Sequence, residues 1–176
     1  MLRSLVIPPT ESAASMYATA DPHLLSAVIS AKSRWTVAQI EAFLDESTLP
    51  MRVSSLNAEG FPHITSLWFR HLNGRLYCCT QQDALVCRHL QANPKMGFEV
   101  AVSAPPYYGI SGQGVARILR EDAGELLGTL ADRYLAGRDQ SLRHWLLSRL
   151  ATEVIVEITP LRVTSWDFRR RMSGST

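Results

Sequence analysis

Two periods of apolar and polar positions run along this chain, and the two-residue period dominates its middle. From Met51 to Leu90 it reads MRVSSLNAEGFPHITSLWFRHLNGRLYCCTQQDALVCRHL, which predicts three consecutive strands and then a helix. The first strand is Met51–Leu56, closed by Asn57-Ala58-Glu59-Gly60, a polar, glycine-terminated tetrad suited to a hairpin loop. The second is Phe61–Arg70, ended by His71-Leu72-Asn73-Gly74, whose Asn-Gly pair tolerates the positive φ of a tight turn. The third is Arg75–Thr80. Asp83 is the expected cap of a helix to about Gln91, stopped near Asn93-Pro94 because proline restricts the residue before it.

On either side the helical period returns. His23–Ser30 is a candidate short helix, and Thr36-Val37-Ala38-Gln39 is a capping box. Val37, Ile40, Phe43 and Leu44 then line one face of an amphipathic helix to about Glu46. After Pro94, Lys95–Val102 reads as a fourth strand and Ile110–Arg120 as a fifth, with Ser103–Gly109 as a loop between them. Gly112 and Gly114 in the fifth strand suggest a bulge or the close approach of another group. Asp122–Leu150 is helical with a break at Gly137: Leu126, Leu127, Leu130 and Tyr134 precede it, Leu142, Trp145, Leu146 and Leu150 follow. Thr152–Thr159 alternates Val154, Val156 and Ile158 with Glu153, Glu157 and Thr159; Pro160 is expected to turn the chain into a last strand, Leu161–Phe168. Strands spaced at roughly 8–12 residues predict a mainly β fold, a small antiparallel barrel with peripheral helices. The organisation expected is an N-terminal arm (1–35), a barrel (36–168) carrying a helical insert (122–150), and a tail (169–176) opened by Arg169-Arg170-Arg171.

Composition narrows the function classes. A chain of 176 residues is large enough to bury a core as one domain without metal or disulfide. A net charge of +2 gives no bulk attraction for nucleic acid. No apolar run approaches the ~20 residues that span a bilayer, and two prolines interrupt the first apolar patch before it resembles a signal peptide, so a cytoplasmic protein with a flexible arm is expected. Cys78, Cys79 and Cys87 offer no metal-ligand spacing; the first two are strand neighbours and point to opposite faces. They read as buried, reduced thiols, with a contact role open to Cys79 beside Thr80. No Ser-His-Asp or Cys-His arrangement marks a nucleophile, so no residue is assigned to catalysis.

Five segments in order carry a family resemblance: RVSSLNAEGFPHITSLWF, LYCCT, HLQANPKMGF, PPYYGISGQGVARIL and ITPLRVTSWDF. Together they resemble the FMN-binding split-barrel family typified by pyridoxamine 5'-phosphate oxidase. The resemblance implies a split antiparallel β-barrel, a homodimer, FMN in clefts at the dimer interface, and a small-molecule substrate. It implies cofactor contacts from Arg52, Val53, Ser54 and Ser55 of the first strand and from Leu67. It implies others from Cys79 and Thr80, from Leu85, Val86 and Arg88 of the helix, and from Trp166 of the last strand. Arg52 is the expected principal phosphate cation.

The departures are equally specific. Ala84-Leu85-Val86 stands where the family usually shows Ser-Arg-Lys, whose cations form charge-assisted hydrogen bonds with phosphate. Asn57 replaces a lysine, and the oxidase's Arg-x-His beyond the tryptophan is not matched by Arg169-Arg170-Arg171-Met172. Two functions follow: an FMN-dependent oxidoreductase with a substrate other than pyridoxamine phosphate, or a non-catalytic barrel that binds or senses a flavin, deazaflavin or haem. Against both, Arg52 reads equally as a surface charge, and Thr80 more simply as a strand end. Trp68, Trp166, Tyr107, Tyr108 and His63 read more simply as packing.

Overall fold

Residues 23–172 are described by a computed structural model of the chain; most of the predicted arm and the last residues of the tail lie outside them. The strands are β1 (Met51–Leu56), β2 (Pro62–Leu67), β3 (Phe69–Leu72), β4 (Arg75–Gln81), β5 (Lys95–Ala101), β6 (Tyr108–Leu119) and β7 (Glu153–Asp167). They form one antiparallel sheet in the order β2-β1-β5-β6-β7-β4-β3. The sheet's two edge strands, β2 and β3, are separated in sequence by Trp68 alone. Flat, a seven-stranded sheet would hold its edges about 29 Å apart, at ~4.8 Å per strand. Two residues span at most about 7 Å. The sheet therefore has to curl back on itself, and it encloses the core as a split barrel.

This closure corrects the expectation of one strand over Phe61–Arg70. The run changes partner midway: Pro62–Leu67 pairs with β1 and Phe69–Leu72 with β4. Trp68, at the crossing, stacks on Tyr134 with ring centroids 5.0 Å apart. Inside the barrel, alternate residues of each strand meet: Val53, Phe69, Leu76, Cys78, Phe98, Val100, Ile110, Val156 and Ile158 are buried in one cluster. Helices plug the ends of the barrel. α1 (Leu24–Val28) adds Leu25, and α2 (Val37–Glu46) adds Ile40 and Leu44. α3 (Leu85–Ala92) adds Val86, Cys87 and Leu90. The Thr36–Gln39 capping box forms as predicted. The α3 cap does not: Ala84 is the N-cap with no side-chain bond, and Asp83 is exposed one residue upstream.

α4 (Ala123–Leu135) and α5 (Gln140–Leu147), parted at Gly137 with φ +75°, form the insert. α4 covers part of the outer face, packing Ala123, Leu126 and Leu130 on Tyr77 and Ile155. Cys78 and Cys79 thus point oppositely, Cys78 into the barrel and Cys79 beneath α4, with its Sγ 3.6 Å from the Ala123 carbonyl. Within α1, Leu25 is 2 % exposed, and Ile29 just beyond it bridges to Val163, so this part of the predicted arm packs on the barrel. At the other end of the barrel Arg169–Met172 forms a single turn, α6.

Pro160 does not turn the chain. β7 runs unbroken through it, and the irregularity is a bulge: Gly114 faces Pro160 but Gln113 faces Arg162, which leaves Leu161 as the extra residue. A bulge suits a residue without an N–H. The glycines of β6 differ in kind from Gly97 of β5. A Cβ on Gly112 would lie 2.2 Å from Phe98 Cζ and 2.7 Å from the Arg162 carbonyl, whereas one on Gly97 would meet nothing closer than Ser54 Cβ at 3.7 Å. Gly112→Ala is therefore expected to cost about 1–3 kcal/mol of stability, as overpacking does. Gly97→Ala is expected to stay within about 0.5 kcal/mol of wild type. Urea denaturation of the two variants checks this; equal losses would refute it.

Candidate functional site

The helical insert covers the outer face over β4 and the first half of β7 but not the rest. There the sheet register sets outward side chains in two rows. One row is Ser66, Arg52, Glu99, Ser111 and Thr164; the other is Ile64, Ser54, Gly97, Gln113 and Arg162. Directly opposed residues in an antiparallel pair share a face about 5 Å apart, so each row is a continuous strip. Between them lies a groove of about 590 Å3 lined by Arg52, Ser54, Ile64, Glu99, Gln113 and Arg162 among others. A second groove of about 420 Å3 shares Arg52 and Glu99 as walls and continues to Tyr107, Trp166 and Phe168. The two make one trough, polar at the Arg162 end and aromatic at the Trp166 end.

Arg52 is committed within this trough. Its guanidinium donates to Glu99 Oε2 at 3.1 Å and to Ser103 Oγ at 3.0 Å. Arg162 is exposed and has no ion-pair or hydrogen-bond partner among the described residues. The side chains of Ser54, Ser111, Gln113 and Thr164 likewise make no side-chain hydrogen bond there. The Trp166 end is braced from below. Asp167 accepts from Trp35 Nε1 at 3.2 Å and from Arg169, which lies 4.6 Å over the Tyr108 ring; these bonds hold the Asp167 carboxyl well below the usual carboxylate range.

Of the residues predicted to touch a cofactor, the trough gathers Arg52, Ser54 and Trp166. Val53 and Val86 are in the barrel core, and Leu67 packs against it. Ser55 is fully buried, with its hydroxyl 3.1 Å from His89 Nδ1. Thr80 is half-buried opposite Val154, and Leu85 is 49 % exposed at the start of α3. Arg88 lines a separate groove of about 710 Å3 between α3 and the Asn57–Gly60 turn. Sequence reasoning missed Arg162, Ser111, Gln113 and Thr164. One signal was present: the apolar alternation Val154, Val156, Ile158 slips phase before Val163, as a bulge requires.

Acidic and basic groups meet at the start of α3, where Arg120 donates to Gln82 Oε1 at 2.6 Å. Glu153, buried beside Gln81, accepts from the Gln81 amide through one carboxylate oxygen, while Oε2 has no partner among the described residues. Burial raises its pKa, against the Gln81 bond and the nearby Arg149. Burial pushes the Cys87 thiol up to about 11 and Cys79 up to about 12, with the Glu153 charge adding to both and Asp83 to Cys87. The thiols stay protonated and are poor nucleophiles. The described residues hold no cluster of three or more metal-ligating side chains, and no helix long and apolar enough to cross a membrane.

The fold and its trough define a class, the antiparallel split barrels with an open, partly polar sheet face. Residues 36–167 match the pyridoxamine 5'-phosphate oxidase family, and the chain belongs to it. Among solved structures it resembles the conserved hypothetical protein Rv2991 of Mycobacterium tuberculosis, at 23 % identity and TM-score 0.67, over 84 % of this chain and 96 % of that one. An F420 reductase is 22 % identical with TM-score 0.59, over 69 % and 93 % of the two chains. HutZ, the heme storage protein of Vibrio cholerae, is 13 % identical with TM-score 0.54, over 74 % and 91 %. At these identities the likeness is one of fold. No curated protein matches by sequence.

Glu153 supplies a pH test. A carboxyl whose folded pKa is raised favours folding most when protonated. Its contribution is fully present below the unfolded pKa near 4.5 and is lost as pH rises through the higher folded value. Glu153→Gln removes that loss. The variant is expected to match wild type at low pH and to exceed it by about 1–2 kcal/mol at neutral pH, the cost of a buried group left without a partner. Urea unfolding across that range checks it; a pH-independent difference would refute it.

Proposed function

We propose that this chain is a flavin-binding oxidoreductase that holds FMN in the trough between Arg162 and Trp166 and acts on a small molecule. The observation that carries it is the trough itself. An aromatic end of Tyr107, Trp166 and Phe168 runs into a polar end whose hydroxyls, amide and guanidinium lack intramolecular partners. This is the division an isoalloxazine on a phosphorylated chain requires. When bound, the flavin supplies the redox chemistry. The chain's residues supply a flat aromatic wall, hydrogen-bond donors along the β1–β5–β6–β7 face, and burial from water.

That burial asks for a second copy. Ile64 is 66 % exposed at the trough's β2 edge, and Phe61 is 67 % exposed in the adjoining hairpin. Apolar side chains bared beside a polar groove are typical of a surface covered in an assembly, and we assign it to a homodimer that closes the trough. The substrate is not pyridoxamine phosphate: Arg169, nearest in the chain to the expected clamp, is spent on Asp167 and Tyr108.

A second reading is a barrel that binds a deazaflavin or haem without turnover. The start of α3 favours it, because Leu85 and Val86 stand where the resembled family shows the cations that grip FMN phosphate. F420 in the name of one similar structure and heme in another fit the same reading.

An absorption spectrum before and after adding FMN separates the two. Flavin bands that survive desalting, in a particle whose light scattering gives a dimer, are the expected result. They should weaken at least tenfold in affinity for Trp166→Ala, taking about 1–3 kcal/mol for a lost stacking contact. A colourless desalted protein, or a haem band, sinks the first reading.

A further inference from the structure

We propose that Arg162 is the phosphate-binding cation of this protein and that the anionic end of the cofactor lies over Gly97, between Arg162 and Ser54. This assignment rests on the flavin reading of the trough.

On the trough and at the family's cation positions, three places come into question for a phosphate, and two suit it less well than the third. At the start of α3 the residues in the family's cation positions are Leu85, half exposed, and Val86, buried in the barrel core. Of the charges there, Asp83 and Glu153 are negative, and the neighbouring cations are engaged, Arg149 with Glu153 and Arg120 with Gln82 at 2.6 Å. A helix N-terminus offers about half a positive charge, which carboxylates at the same end oppose. The second place is Arg52. Its charge is balanced by Glu99 at 3.1 Å, and its other guanidinium nitrogen is taken by Ser103 at 3.0 Å. An anion brought there must displace a carboxylate already in place.

Arg162 is the third. It ends the row Ile64, Ser54, Gly97, Gln113, Arg162, which contains no acidic residue. The groove around it offers the Gln113 amide and the hydroxyls of Ser54, Ser111 and Thr164 as donors. Guanidinium forks bind phosphate through paired charge-assisted hydrogen bonds, and neutral donors complete the shell. Gly97 leaves the space. A Cβ would fit there at ordinary distances of 3.7 and 3.8 Å, so the fold does not require glycine at this position as it does at Gly112.

The β7 bulge aims the side chain. Before it, even-numbered Val154, Val156 and Ile158 face the barrel interior; after it, Val163 and Ser165 do. Without Leu161 as the extra residue, Arg162 would point into the core. Bulges of this kind re-aim side chains beside functional sites.

The test compares FMN with riboflavin, which lacks the phosphate, by fluorescence titration of wild type, Arg162→Gln and Gly97→Leu. Arg162→Gln is expected to weaken FMN about ten- to a hundredfold and flatten its salt dependence, while riboflavin affinity stays unchanged. Gly97→Leu, which fills the groove, is expected to weaken FMN more than riboflavin. Equal losses for both ligands in Arg162→Gln, or none, overturn the assignment. So does a loss of dimer with FMN affinity intact, which would place Arg162 in the subunit contact. Wild type that binds neither flavin overturns the flavin reading itself, a result distinct from all of these.

Discussion

One residue constrains the whole molecule. Trp68 is the entire connection between the two edges of the sheet, so the strands cannot lie flat, and everything else follows from the curl. Closure fixes which alternate positions face inward and gathers Val53, Phe69, Leu76 and Val156 into one core. The crossing is held from outside. Tyr134 stacks on Trp68 and places its hydroxyl 3.2 Å from both the Phe69 amide and the Leu49 carbonyl. The neighbouring Arg133 donates to the Leu44 and Ser47 carbonyls at the end of α2. The helical insert is thus a brace for the closure point.

The brace is also what exposes the trough. A barrel has one inside and one outside, and α4 covers the outside only over β4 and the first half of β7. Outward residues there are mostly apolar, as Tyr77 and Ile155 are, or paired, as Glu157 is between Arg75 at 3.2 Å and Arg117 at 3.1 Å. Beyond the bulge the outward residues become small and polar, and their hydrogen-bonding groups are left for something other than this chain. The change of character falls at Pro160–Leu161, so a single backbone irregularity divides the covered half of β7 from its open half.

Much of this was written in local sequence. The Thr36–Gln39 box, the Asn73-Gly74 turn, the break at Gly137 and the limits of β1 follow from capping, turn and periodicity rules that act over a few residues. What those rules missed depends on partners far along the chain. Phe61–Arg70 looks like one strand because nothing local says that its two halves pair with β1 and β4. Pro160 looks like a turn because its place opposite Gly114 is a matter of register. Asp83 looks like a cap because the Gln81–Ala84 turn that starts the helix one residue later is set by β4 reaching β7. The open face shows the same limit. Arg52 and Trp166 were legible through resemblance to a family, whereas Arg162 acquires its meaning only from a register that sets it across the Gly97 gap from Ser54.

The two faces of the sheet differ in charge, and the proposed anion site follows that difference. Near Leu85 and Val86, which stand where the resembled family shows cations, this chain holds a buried acid. Glu153 keeps one carboxylate oxygen without a partner and an elevated pKa. A phosphate at that end would raise it further, since a second negative charge nearby again penalises ionisation. On the open face the balance is opposite. Arg52 cancels Glu99, so the Arg162 charge is left over, in a trough walled by the low-dielectric barrel on one side. A charge left over in such a place acts over a longer range than the same charge in free solvent. On the proposed reading, the departures at Leu85 and Val86 and the phase slip before Arg162 belong together: anion recognition would rest on the face of the sheet and not on a helix terminus.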